Sequence, residues 1–191
     1  MSKRGQLPTK LFEPCAGGGV YLRTPKWSDF ETWVELRREN KNYLKPWEPN
    51  WSDDFLTRTS YRTRLANFKK MIANDSGYPF YVFKSADDSL VGACNITFVK
   101  RGSQMSCNIG YWIGEEYSRN GFARASVRAI LRFAFEDIGL HRVEAAVRED
   151  NIASIQLLEK LGFIKEGVAR GKLKIDGQWR DHIMYAKLSS D

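Results

Sequence analysis

No stretch of the chain reaches the roughly 18 consecutive uncharged apolar residues that a membrane-spanning helix needs. Its opening, MSKRGQLPTKLFEPCAGGG, is too polar and too broken by proline and glycine to be the apolar core of a secretion signal, so a soluble, cytoplasmic protein is expected. Cysteine and histidine are scarce. Cys15, Cys94 and Cys107 are odd in number and lack CxxC spacing, and His141 and His182 lie far apart, which argues against a disulfide framework and against a metal site. The Gly-Lys-Ser/Thr of a P-loop and the GxGxxG of a dinucleotide fold are also missing, which disfavours nucleoside triphosphatases and Rossmann dehydrogenases. Neither an internal repeat nor a low-complexity tract is visible.

What is there suits a packed domain. With 191 residues, 42% of them hydrophobic and 13% aromatic, the chain can bury a sizeable core, and one domain over 1–191 is expected, with 1–19 a flexible or peripheral segment. The formal charge of +7 invites an anionic partner, a phosphorylated ligand or RNA, although a solvated basic surface would also account for it.

Along the chain, VYLRT reads as a strand and Trp27–Glu39 as a helix burying Phe30, Trp33, Val34 and Leu36. KPWEPNW, with two prolines, reads as a loop. A second helix is expected from about Asp54 to Asn74, opened by Asp53 and Asp54. PFYVFK, LVGACNITFV and MSCNIGYWIG read as an antiparallel meander. Then follow a helix over about Phe122–Ile138, the strand HRVEAAVR, a helix over Asn151–Leu161, and strands over Gly171–Ile175 and Gln178–Leu188, joined by the hairpin turn IDGQ. The order β α α β β β α β α β β describes one mixed α/β domain.

The stretch EEYSRNGFARAS is anomalous. It places Arg119 and Arg124 around Gly121, where a helix begins and where partial positive charge already resides. Glycine lets the backbone come close to a ligand, and unpaired N–H groups form an anion site to which the arginines would add charge-assisted bonds. In the plainer reading, Glu115 and Glu116 neutralise the arginines and the glycine serves a turn. Asn151 and Gly162 likewise suit the N-cap and C′ positions of the following helix.

IGYWIGEEYSRNGFARASV resembles the coenzyme A segment of the GNAT acetyltransferases, whose loop pattern is Gln/Arg-x-x-Gly-x-Gly/Ala; Gly121 and Ala123 match, and Ser118 stands at the Gln/Arg position. EDNIASIQLLEKLGFIKEG resembles the longer and more specific second motif of that family, Asn-x-x-Ser/Ala-x-x-Leu-Tyr/Leu-Glu-Lys-x-Gly-Phe. NYLKPWEPN and IDGQWRDHIMYA are similar to segments of its RimJ-type branch of ribosomal-protein-alanine N-acetyltransferases, and the resemblance runs from about Val20 to Leu188.

The resemblance implies the GNAT fold, an α+β arrangement with a central, mixed, mostly antiparallel sheet flanked by helices and with strands four and five splayed apart. It implies acetyl transfer from acetyl-CoA to a protein N-terminal amine, with a ribosomal protein as acceptor and ribosomal RNA as a further contact, by direct transfer in a ternary complex and without a metal. Coenzyme contacts are implied for Tyr111, Trp112 and Ile113 on the splayed strand, for Arg119, Asn120, Gly121, Phe122, Ala123 and Arg124 in the loop, and for Asn151.

Two residues common in the family are replaced here: Leu158 stands where many members have an acidic tyrosine, and Ala146 where some have a glutamate base. Some RimJ/RimL-type relatives use a serine at the place of Ser154, so Ser154 is the expected hydrogen-bond donor to sulfur; in the plainer reading it satisfies the first helical turn. Glu48 is the candidate for orienting the acceptor ammonium or relaying its proton, with Trp47 beside it as a substrate contact; otherwise both belong to a surface loop. The missing strong base is tolerable, because an α-amine ionises near 7.7–8.0 whereas lysine ionises near 10.4. Asp181 and His182, adjacent in a strand, point to opposite faces and do not form a dyad. Cys94 and Cys107 read as buried strand residues. Two other functions are carried along: acetylation of a small amine such as a polyamine or aminoglycoside, and an RNA- or ribosome-binding module with a retained GNAT fold, stacking bases on Trp47 and Trp51.

Overall fold

The computed structural model describes residues 10–191. Its centre is a nine-stranded sheet built from β1 (Leu11–Glu13), β2 (Val20–Arg23), β3 (Gly77–Tyr78), β4 (Tyr81–Lys84), β5 (Leu90–Lys100), β6 (Ser106–Ile113), β7 (Arg142–Val147), β8 (Ile164–Ile175) and β9 (Gln178–Leu188). The strand order is β1-β2-β4-β5-β6-β7-β9-β8, with β3 pairing β5 off this path. Every pairing is antiparallel except β6 with β7.

Alternation along the strands loads both faces. Cys107, Ile109, Tyr111 and Ile113 of β6 join Cys94 and Ile96 of β5 and Val143 and Ala145 of β7 under α4 (Phe122–Arg132) and α5 (Ile152–Lys160). On the other face, Tyr21, Tyr81, Phe83 and Ala93 pack against Phe30, Trp33 and Leu36 of α1 (Phe30–Glu39) and Tyr61 of α3 (Arg58–Ala73). A single turn, α2 (Lys41–Leu44), and a 3₁₀ turn over Lys45–Trp47 connect α1 to α3. Among the described residues no helix is long and apolar enough to cross a membrane.

Several boundaries differ from the sequence expectation. Within the segment 1–19, expected to be flexible or peripheral, Leu11–Glu13 forms an edge strand; residues 1–9 lie outside the described residues. Buried Glu13 receives Arg128 and Arg132, each at 2.7 Å, which ties that strand to α4. Gly17 is packed as well, since a Cβ there would come within 2.7 Å of the Phe122 ring. The second long helix starts at Arg58, capped by Thr57, whose Oγ1 accepts the Ser60 N–H at 3.2 Å, rather than at the Asp53-Asp54 pair. The regular part of α4 ends at Arg132, followed by a π turn over Phe133–Asp137. β8 starts at Ile164, ahead of the expected Gly171, with breaks in its pairing to β9.

Candidate active site

β6 and β7 are parallel and pair only through Ser106–Arg142, Cys107–Val143 and Asn108–Glu144. Beyond Asn108 the two strands part, while β6 stays paired with β5 to Ile113 and β7 with β9 to Val147. The backbone of Ile109–Ile113 therefore has no strand partner on its β7 side. The crossover between these strands is α4, and its start is built for close approach. Arg119 and Gly121 both take left-handed conformations, φ 63° and 81°, and Gly121 is the N-cap. Ala125 N–H donates to the Gly121 carbonyl at 2.9 Å, and no side chain caps the turn. Arg119, Asn120 and Arg124 are exposed.

The neutralising reading of this loop fails among the described residues, because neither Glu115 nor Glu116 pairs with Arg119 or Arg124. The Glu115 N–H and Glu116 Oε2 instead meet the Asn40 side chain, at 2.7 and 3.3 Å. Arg128 and Arg132, further along the same face, are taken up by Glu13.

The gap between β6 and β7 opens into a cleft of about 720 Å³. Its floor carries Asn108 to Trp112 of β6 and Glu144 to Val147 of β7; Asn151 and Ser154 approach from α5, His182 from β9, and Trp47 and exposed Phe98 form part of the rim. Asn151 caps α5 by accepting the Ser154 N–H at 3.2 Å. That helix closes as expected at Gly162, φ 79°, with Gly162 N–H on the Glu159 carbonyl and Phe163 N–H on the Leu158 carbonyl, each at 3.0 Å.

Tyr111 Oη is buried and makes no hydrogen bond of good geometry; the Ser154 side chain is its polar neighbour, and burial pushes the phenol up to about 12. His182 is buried, with Nδ1 at 2.9 Å from the Arg180 carbonyl. A carbonyl only accepts, so Nδ1 carries the proton and Nε2 keeps the lone pair. Burial, with Lys172 and Arg148 nearby, holds this imidazole below its ordinary value, against the opposing influence of the Arg180 carbonyl and Asp181.

Residues 20–164 match the acetyltransferase (GNAT) domain. The chain belongs to the GNAT acetyltransferase family. It is 33% identical over 175 residues to the Bacillus subtilis (strain 168) protein named "Probable N-acetyltransferase YjcK", covering 92% of this chain and 97% of that one. It is 33% identical over 165 residues, 85% of each chain, to the Escherichia coli (strain K12) [ribosomal protein uS5]-alanine N-acetyltransferase. The solved structure of Mycobacterium smegmatis RimJ in complex with CoA-disulfide superposes with a TM-score of 0.89 at 30% identity, covering 95% of this chain and 87% of that one. This GNAT protein is accordingly an N-acetyltransferase, and its sheet, parted between β6 and β7, has the expected GNAT architecture.

Within this GNAT fold, Tyr111, Trp112, Asn151, Ser154 and Trp47 line one cleft. Glu48 does not. Both of its oxygens accept from Arg37 Nη2, at 2.6 and 2.8 Å, and Oε1 also accepts from Trp51 Nε1 at 2.6 Å, in a neighbouring pocket. His182, set aside in the sequence as half of a dyad with Asp181, does line the cleft. The alternation rule holds, since Asp181 turns the other way and accepts from Gly171 N–H at 2.7 Å, but β9 pairs Met184 with Ala146, so His182 sits diagonally across from the position where other members carry a base. Leu158 is fully buried. Cys94 and Cys107 are buried, and burial pushes both thiols up, Cys107 to about 12, so neither favours a thiolate.

Proposed function

We propose that this enzyme moves the acetyl group of acetyl-CoA to the α-amine of a protein N-terminus, with a ribosomal protein as the acceptor class. The observation that carries this reading is the parting of β6 from β7 at the point where unpaired strand backbone, Ser154 and His182 meet in one cleft. An arm bearing amide groups pairs with such a backbone as an added strand would. The diphosphate of the coenzyme suits the uncapped start of α4, where Phe122, Ala123 and Arg124 offer N–H groups and Arg119 and Arg124 supply charge.

In the transfer, the neutral amine attacks the thioester carbonyl carbon. The C–N bond forms as the carbonyl π electrons move to oxygen, where a free N–H of β6 receives the charge. Collapse breaks the C–S bond, and the Ser154 hydroxyl donates a hydrogen bond to the departing sulfur. The proton lost by nitrogen goes to His182 Nε2, directly or through one water, and the thiolate takes a proton from solvent water and leaves as the thiol, the hydroxide being neutralised by the proton that His182 then releases. Glu48, occupied by Arg37 and Trp51, has the role of holding Arg37 rather than handling the amine.

A polycationic small amine fits poorly. Glu144 is the only carboxylate among the described residues lining the cleft, against Lys100, Arg148 and Lys172. The test is thiol release from acetyl-CoA on addition of a peptide with a free amino terminus. Release with such a peptide and little with spermidine is expected; release with spermidine alone would overturn the assignment.

A further inference from the structure

A smaller cavity of about 300 Å³ adjoins the cleft and shares Asn95 and Trp112 with it. Two guanidiniums, Arg37 and Arg64, enter this cavity against one carboxylate, Glu48. Glu48 is taken up by Arg37 and Trp51, and Arg37 lies over the Trp51 and Trp112 rings at 4.6 and 4.7 Å. Arg64, from α3, lies over Trp33 and Phe55 at 5.0 and 4.8 Å. Its Nε is buried without a hydrogen-bond partner, and no carboxylate among the described residues pairs with it. Tyr81 Oη lines the same cavity, with the Tyr61 hydroxyl as its polar neighbour.

A guanidinium stays charged in proteins, so desolvating one without an anion is costly and its remaining donors favour an acceptor group. Burial, with Arg37 beside it, acts against the Arg64 charge, only partly offset by Tyr81, Tyr61 and Glu48. A guanidinium without an ion-pair partner among the described residues thus faces a cavity walled by aromatic rings. We propose that this cavity is an acceptor subsite that takes the carboxylate of an Asp or Glu side chain lying a few residues behind the acetylated amine. The subsite rests on the acceptor reading above, and it narrows the substrate class to acidic amino-terminal segments. The surplus of cations lining the adjoining cleft works in the same direction.

The experiment uses the full-length enzyme with coenzyme A bound and a set of otherwise identical peptides with a free N-terminal alanine. Glu is moved through the next four positions, and matched peptides carry Gln. Binding is read by calorimetry and by the fluorescence of the cavity tryptophans, and acetyl transfer is followed separately. At the favoured position, Glu should bind about tenfold more tightly than Gln, as a charge-assisted hydrogen bond to a guanidinium implies. Arg64→Gln should abolish that preference and Arg64→Lys retain part of it, with coenzyme A affinity and melting temperature reporting an intact fold. Equal binding of Glu and Gln peptides by the unaltered enzyme, or a preference that survives in Arg64→Gln, would overturn the subsite. If Arg64→Gln does not fold, the wild-type comparison and Arg64→Lys still decide. A Glu preference without transfer to any peptide would keep the subsite and refute the acceptor assignment instead.

Discussion

Ser154 and His182 divide the proton chemistry between two sides of one cleft. If the Ser154 hydroxyl supports the leaving sulfur, Ser154→Ala should lower turnover by about a hundredfold, as losing one transition-state donor does elsewhere, while coenzyme A affinity stays within about twofold of wild type. Steady-state kinetics with a calorimetric Kd separates the two. For His182 the sign follows from its burial. The imidazole accepts a proton only when neutral, and its pKa is held below the ordinary 6.5. The kcat/KM for a free-amine peptide should therefore fall with slope one below the α-amine pKa of about 7.7–8.0 and with slope two once the pH drops below that of His182. His182→Gln should lose the second break. The same shift bears on stability: the unfolded chain takes up the proton first, so stability falls as pH drops below the ordinary value and levels off below the folded one. At this scale the sequence was readable where a residue's role is local. Asn151 is a cap, and Asp181 and His182 face apart, as their positions imply. It was not readable for Glu48, whose partner Arg37 comes from α1, or for His182, whose closeness to the cleft depends on the register between β7 and β9.

At the scale of elements, the start of α4 carries the heaviest demand. Its cap is a glycine at φ 81°, close enough to Cys15 that a Cβ would sit 3.4 Å from the Cys15 Cβ. Gly121→Glu imposes a backbone conformation costing roughly 1–2 kcal/mol for a residue with a Cβ and brings a negative charge to a site proposed for a diphosphate. Coenzyme A affinity should drop at least about tenfold by calorimetry, and unchanged affinity would move the coenzyme elsewhere. This helix and α5 were legible because each carries a stripe of apolar residues and a recognisable terminus. The start of α3 was misjudged because acidic residues suit any first turn, whereas the hydroxyl of Thr57 is the group that meets an N–H. β1 escaped notice because three residues hold no periodicity, and its anchor, Glu13 on Arg128 and Arg132, spans more than a hundred positions.

For the molecule as a whole, topology accounts for the cleft. Among the described residues β6 and β7 are the one parallel pair in a sheet of antiparallel neighbours, joined through α4, and their separation after three paired residues leaves an open backbone along the cleft. Seven of the nine strands were visible as alternation, but their pairing and the parting were not, because pairing partners leave no mark on a single strand; the resemblance in the loop and in α5 supplied the parting. The net charge of +7 is likewise spread unevenly. Many cations are paired, as with Arg23 on Asp29, Arg101 on Asp75 and Arg148 on Asp150, while Lys100 and Lys172 also line the cleft. The most direct test of the account is to incubate the enzyme with acetyl-CoA and a peptide carrying both a free amino terminus and an internal lysine, then locate the added acetyl group by fragmentation mass spectrometry. A single acetyl on the α-amine is expected. Acetyl on the lysine, or none while acetyl-CoA binds, would contradict it.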